Sequence, residues 1–213
     1  MLNGMNSRSV AVIAALICAA AIGCDATSGP TPAGTVPSLP GSTTSSPSAT
    51  ATTSQTDKQV DFSRLLLQPA DLSDAEDTFT EQSSTPSGPD GMPGASALFV
   101  NQDDTRAISD TIVIYPDADT AANTLKAALP TIDSTVTGAT TRPAPVGSNG
   151  TMAVGMSPDG SKATTLLLFT EGPALVRLEF QSAPGDVTTD QFVLNVGKMQ
   201  QIALRIGLAD NQQ

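Results

Sequence analysis

The chain has 213 residues, with 10 Lys and Arg against 21 Asp and Glu, a formal charge of −11, no His, no Trp, one Tyr and two Cys. Without imidazole there is no Ser-His-Asp triad, no Cys-His pair and no His-ligated zinc. The scattered single bases also lack the Lys/Arg surface that displaces counterions from nucleic acid or draws a protein to anionic lipid. At roughly 100–200 residues per domain, this length allows one domain plus extensions.

Arg8 is followed by the apolar run Val10 to Ile22, about 13 residues, which is too short for a ~20-residue span and has the length of a signal-peptide core. The run ends in Ala21-Ile22-Gly23-Cys24, which resembles the bacterial lipobox. That resemblance implies a signal peptide over 1–23, cleavage after Gly23 and lipidation of Cys24. An ordinary secretory signal with a spare Cys is the competing expectation. Cys18 would leave with the signal, so the exported chain keeps one Cys and has no disulfide. Two or three acyl chains, at ~0.8 kcal/mol per buried CH₂, hold a protein at a membrane stably where one does not. The expected location is the cell membrane, lipid-anchored and facing the extracytoplasmic side.

Residues 24–57 form a Ser/Thr/Pro-rich linker with only Val36 and Leu39 as sizeable apolar side chains. Such a composition cannot offset the entropy of ordering the chain, so a disordered spacer is expected, open to glycosylation.

Residues 58–209 are expected to form a single α+β domain, with 210–213 as a tail. Asp61 to Gln68 reads as a short helix stopped by Pro69, with a second turn near Ser73. Residues 85–94 hold three Pro and three Gly and read as a loop. Strands follow at 97–102 and 108–115, joined by a polar turn at Asp103 and Asp104. Ala121, Leu125, Ala128 and Ile132 then share one helical face, with Asp117 or Asp119 placed to cap it and Pro130 to end or kink it. Further strands are expected at about 135–140, 151–156, 163–169 and 174–180, the last alternating strictly. The final helix, Thr189 to about Ile206, repeats Phe192, Val196, Met199, Ala203 and Ile206, with Gly207 as its C-cap. The fold class is α+β: a mostly antiparallel sheet of about five or six strands with two main helices packed on one face.

Candidate sites are few. Asp103/Asp104 and Asp117/Asp119 fall at a turn and a helix start, where acids cap and complete turns. Ser148 and Ser161 have no base partner at a recognisable spacing, and Val146 to Thr151 lacks the Lys and following helix of a phosphate loop. No catalysis, metal or cofactor is expected. Met152, Met156, Leu167 and Phe169 could line an apolar groove, although core packing explains the same residues. The run Leu166 to Leu168 marks a strand that is covered on both faces or borders a pocket.

Ile112 to Leu125, reading IVIYPDADTAANTL, and Leu65 to Leu72, reading LLLQPADL, resemble segments of actinobacterial PknH-like extracellular sensor domains and their lipoprotein relatives. The likeness covers about residues 60–208. It implies an antiparallel sheet with two helices beside a cleft and a ligand-sensing role. PknH-type domains carry disulfides, and the folded part here has no Cys, so LpqN-type mycobacterial lipoproteins are the looser alternative. The expected function is a cell-envelope lipoprotein acting as a non-catalytic ligand-binding or sensor module for an envelope lipid or protein. The alternative is a structural or protein-interaction lipoprotein without a small-molecule ligand.

Overall fold

The computed structural model describes residues 60–73 and 77–210, which belong to one compact unit. The signal, Gly23, Cys24 and the linker lie outside the described residues.

The described part opens with a strap. Its first turn is a 3-10 helix at Ser63–Leu65, followed by α1, Pro69–Leu72. Pro69 begins this helix instead of stopping one, because at the first helical position its missing N–H would have no partner anyway. Asp71 Oδ2 accepts the Gln68 N–H at 2.8 Å and closes the turn from below.

Three strands follow: β1 (Phe79–Thr85), β2 (Gly94–Asn101) and β3 (Ala107–Ile114). The connection from β1 to β2 includes a 3-10 turn at Pro89–Gly91. The β2–β3 turn is organised by the buried side chain of Asn101, whose Oδ1 accepts from the Thr105 and Arg106 amides, each at 2.9 Å. Next comes α2, Ala118–Ala128, capped by Asp117, whose Oδ1 accepts the Thr120 N–H at 2.7 Å. α2 ends at Ala128, two residues before Pro130, as the proline predicts, and the path continues in a 3-10 extension, Leu129–Ser134.

The chain then runs through β4 (Thr137–Pro143), β5 (Ser148–Met156), β6 (Ala163–Glu171) and β7 (Ala174–Ser182), and closes with α3, Asp190–Asp210. Sheet order is β1-β2-β3-β7-β6-β5-β4, with every neighbouring pair antiparallel. Two meanders therefore join where β3 meets β7, and α2 carries the chain from the middle of the sheet to its far edge.

The α+β class and antiparallel sheet hold, but among the described residues there are seven strands and three α-helices. The additional strand is β1, a sheet edge with only Phe79 buried.

The two main helices do not share a face. Leu166 and Leu168 of β6 cluster with Leu125 of α2, Ile132 and Val136, whereas Leu167 and Phe169 cluster with Val193 and Val196 of α3. Successive strand side chains point to opposite faces, so α2 covers one side and α3, with the strap, covers the other. A strand with three consecutive Leu needs both covers. Gly207 is not the cap of α3, which runs three residues beyond it. A Cβ at Gly207 would run into Leu65 Cδ2, so the glycine makes room for the strap to lie against the helix.

Two-sided cover has a direct consequence in adjacent residues. Leu166→Ala and Leu167→Ala should each lower unfolding free energy by about 2–5 kcal/mol, measured by urea denaturation. If helices covered one face only, one of the two would cost almost nothing.

Candidate functional site

Met152, Leu167 and Phe169 are buried in the main core, and the half-buried Met156 lies at the end of β5. Arg142 Nη2 reaches Met152 Sδ at 3.5 Å. Three hollows among the described residues have other linings.

One hollow, of about 330 Å³, opens where β1, β3 and β7 meet the start of α3. Its lining is mixed: the apolar side chains Phe79, Ile108, Phe180 and Phe192 make part of it, and polar groups make the rest. Phe192 is in the first turn of α3, where Thr189 starts the helix by accepting the Val193 N–H on its carbonyl at 3.1 Å. That start brings the Phe192 ring to a centroid distance of 6.4 Å from Phe79, nearly parallel at 23°, and 6.1 Å from Phe180, edge-on at 80°. Offset stacking and edge-to-face contact are the arrangements aromatic quadrupoles favour.

The rim is polar. Arg106 Nη2 pairs with Asp186 Oδ2 at 2.7 Å and Arg106 Nε with Asp77 Oδ2 at 3.5 Å. Among the described residues one guanidinium sits between two carboxylates, polar groups that suit hydroxyl or amide partners. Gln181, Thr188 and Thr189 add donors and acceptors along the same rim.

A second hollow, of about 390 Å³, lies between α1 and α3 and is walled by Leu72, Val196 and Met199. Phe192 lines both hollows. Pockets of about 300–1,000 Å³ with apolar walls and a few placed polar groups are the usual form of small-molecule sites.

The other sequence candidates do not converge. Asp117 caps α2, Asp119 lies in its first turn and Asp104 sits in the β2–β3 turn. Asp159 accepts hydrogen bonds from Ser157 Oγ at 2.5 Å and from the Ser161 amide at 3.1 Å in the β5–β6 turn, and these bonds hold its pKa down to about 2. Ser161 Oγ is bonded to the same carboxylate, and the Ser148 carbonyl accepts from Thr170 Oγ1 at 3.3 Å. Among the described residues no group of three or more His, Cys, Asp or Glu side chains is placed to hold a metal ion.

One polar residue escaped the sequence reading. Asp110 is fully buried in β3 among apolar neighbours, and desolvation pushes its pKa up to about 7 against the lowering effect of one backbone hydrogen bond from Leu67. Its signal was present in the strand's period-2 pattern, which puts Asp110 on the same face as Ile108 and Ile112.

No protein-family description, curated protein or solved structure matches the chain.

The aromatic floor can be read out directly, because the chain has no tryptophan. A Phe192→Trp variant carries a single indole in the hollow. Its emission should shift saturably with dodecyl maltoside below the micelle concentration. No shift would remove the hollow as a binding surface for an apolar chain.

Proposed function

We propose that the chain is a lipid-anchored cell-envelope protein whose domain is a non-catalytic binding or sensor module, kin to the PknH-like and LpqN-type proteins. Its ligand is an apolar or glycolipid-like envelope molecule, bound with its apolar part against Phe79, Phe180 and Phe192. The observation that carries the binding half is the pair of hollows that share Phe192, each lined by apolar and polar side chains together. The anchoring half is supported by Ala21-Ile22-Gly23-Cys24 after a short apolar run. Among the described residues no helix is long and apolar enough to cross a membrane, so attachment would come through lipid on Cys24. The linker then sets how far the groove stands from the bilayer. At ~3.1 Å per residue for extended Pro-rich chain, its full reach is on the order of 100 Å.

A protein-interaction role without a small ligand is the second reading. It is favoured by the half of the sheet that α2 leaves open, where Leu98 is 38% exposed beside Ser96, Ser109 and Thr111.

Cys24→Ala tests the anchor in cells. The variant should leave the membrane fraction and appear in soluble form, while wild type partitions into detergent. If the variant stays with the membrane, the lipid-anchor assignment fails.

A further inference from the structure

Residues 60–73 lie as a strap over the core face that α3 also covers. Leu65, Leu67 and Leu72 are fully buried beneath it. Three bonds clasp it: the Leu67 N–H donates to Asp110 Oδ2 at 3.2 Å, Gln200 Nε2 donates to the Leu65 carbonyl at 2.8 Å, and Arg64 Nη2 donates to the Gly207 carbonyl at 2.9 Å. Two of these come from α3, and the one to the sheet is made by Asp110. Gly207 supplies the notch into which Leu65 fits.

The clasp at Asp110 is chemically unbalanced. Its Oδ1 has no hydrogen-bond partner among the described residues, and neither has the buried Gln200 Oε1. A carboxylate there gives up its hydration for one long bond, whereas the neutral acid gives up much less.

Among the described residues no neighbouring element brings a charge to the site. On the strap, Asp61 is bonded to the Ser63 amide, Arg64 to α3 and Asp71 to the Gln68 amide. β2 has no ionisable side chain. β7 places Leu178 opposite Asp110 and turns Arg177 and Glu179, paired with each other, to the other face. α3 presents Gln200 inward, with Asp190, Lys198 and Arg205 exposed.

We propose that the strap is a pH-sensitive clasp: neutral Asp110 holds residues 60–73 shut against β3 and α3, and ionisation of Asp110 releases them. With the strap closed, burial keeps the carboxyl protonated up to about pH 7. With the strap open, the hydrated group returns to an ordinary value near ~3.9. The open form therefore gains about tenfold per pH unit between roughly 4 and 7 and nothing further above that. The strap is firmest in acid and loosest at neutral pH and beyond. Because Leu72 on the strap walls the hollow between α1 and α3, loosening widens that hollow. The clasp stands whether or not the groove binds a ligand.

Trypsin reports on the strap through Arg64, whose peptide bond lies in the 3-10 turn. The full chain is digested briefly at pH 6 and pH 8. Cleavage after Arg64 is followed by mass spectrometry and normalised at each pH to hydrolysis of a small arginine substrate. In wild type, normalised cleavage after Arg64 should rise about tenfold from pH 6 to pH 8, while the sheet site Arg177 stays protected. Asp110→Asn should show no such rise. Asp110→Val, which removes the charge without an amide to satisfy, should give the same flat profile and serves if the Asn variant does not fold. A shared pH dependence in wild type and variants would overturn the clasp, as would cleavage after Arg64 rising only in step with cleavage after Arg177.

Discussion

The fold depends on β6 being buried from both sides. Every residue from Ala163 to Thr170 is buried, which no single layer of helix can achieve. At about 1.5–3 kcal/mol per fully buried aliphatic side chain, Leu166, Leu167 and Leu168 provide the incentive for two separate covers. α2 meets one face with Leu125, and α3 meets the other, where Gly197 lets the helix come close enough that a Cβ would sit 2.5 Å from Leu167 Cδ2. The burden of burial also catches polar groups, since the hydroxyls of Thr164 and Thr165 find no partner among the described residues.

The position of the groove follows from that arrangement. Once α3 lies along the strap side of β6 and β7, its first turn overhangs the end of the sheet, and Phe192 comes down between Phe79 and Phe180. The opposite end of the same helix holds the strap through Gly207. One helix thus forms the hollow at its beginning and the clasp along its body, and the strap's own Leu72 faces the second hollow. Binding and closure are neighbours because both rest on α3. The rim charge comes from Arg106, placed by the Asn101 turn beside Asp77 and Asp186.

Periodicity made the helices and most strands legible. Ala121 and Leu125 with the Asp117 cap marked α2, and the strict alternation from Leu175 to Phe180 marked β7. β1 was illegible because its residues FTEQSST pair on one side only and bury just Phe79, so the backbone ladder and not side-chain burial holds it. Local rules place Pro69 and Gly207 at helix ends, whereas one opens a turn and the other clears space for Leu65, a contact 142 positions away in sequence. Periodicity also says which residues share a face but not which face a given helix covers, hence the error over α2 and α3. Met and Leu runs point to Met152, Met156, Leu167 and Phe169, three of which are buried in the core. The hollow at Phe192 forms where three phenylalanines distant in sequence converge, and no local pattern reports that.

Native mass spectrometry of the full-length Cys24→Ala protein, produced in an actinobacterial host and followed by lipid extraction, tests the binding module most directly. A domain with a binding groove at Phe192 carries one lipid per chain and loses it when the half-buried Phe192 is replaced by Asp. A chain that emerges without ligand, and takes none up from an extract of envelope lipids, contradicts a binding role for the groove.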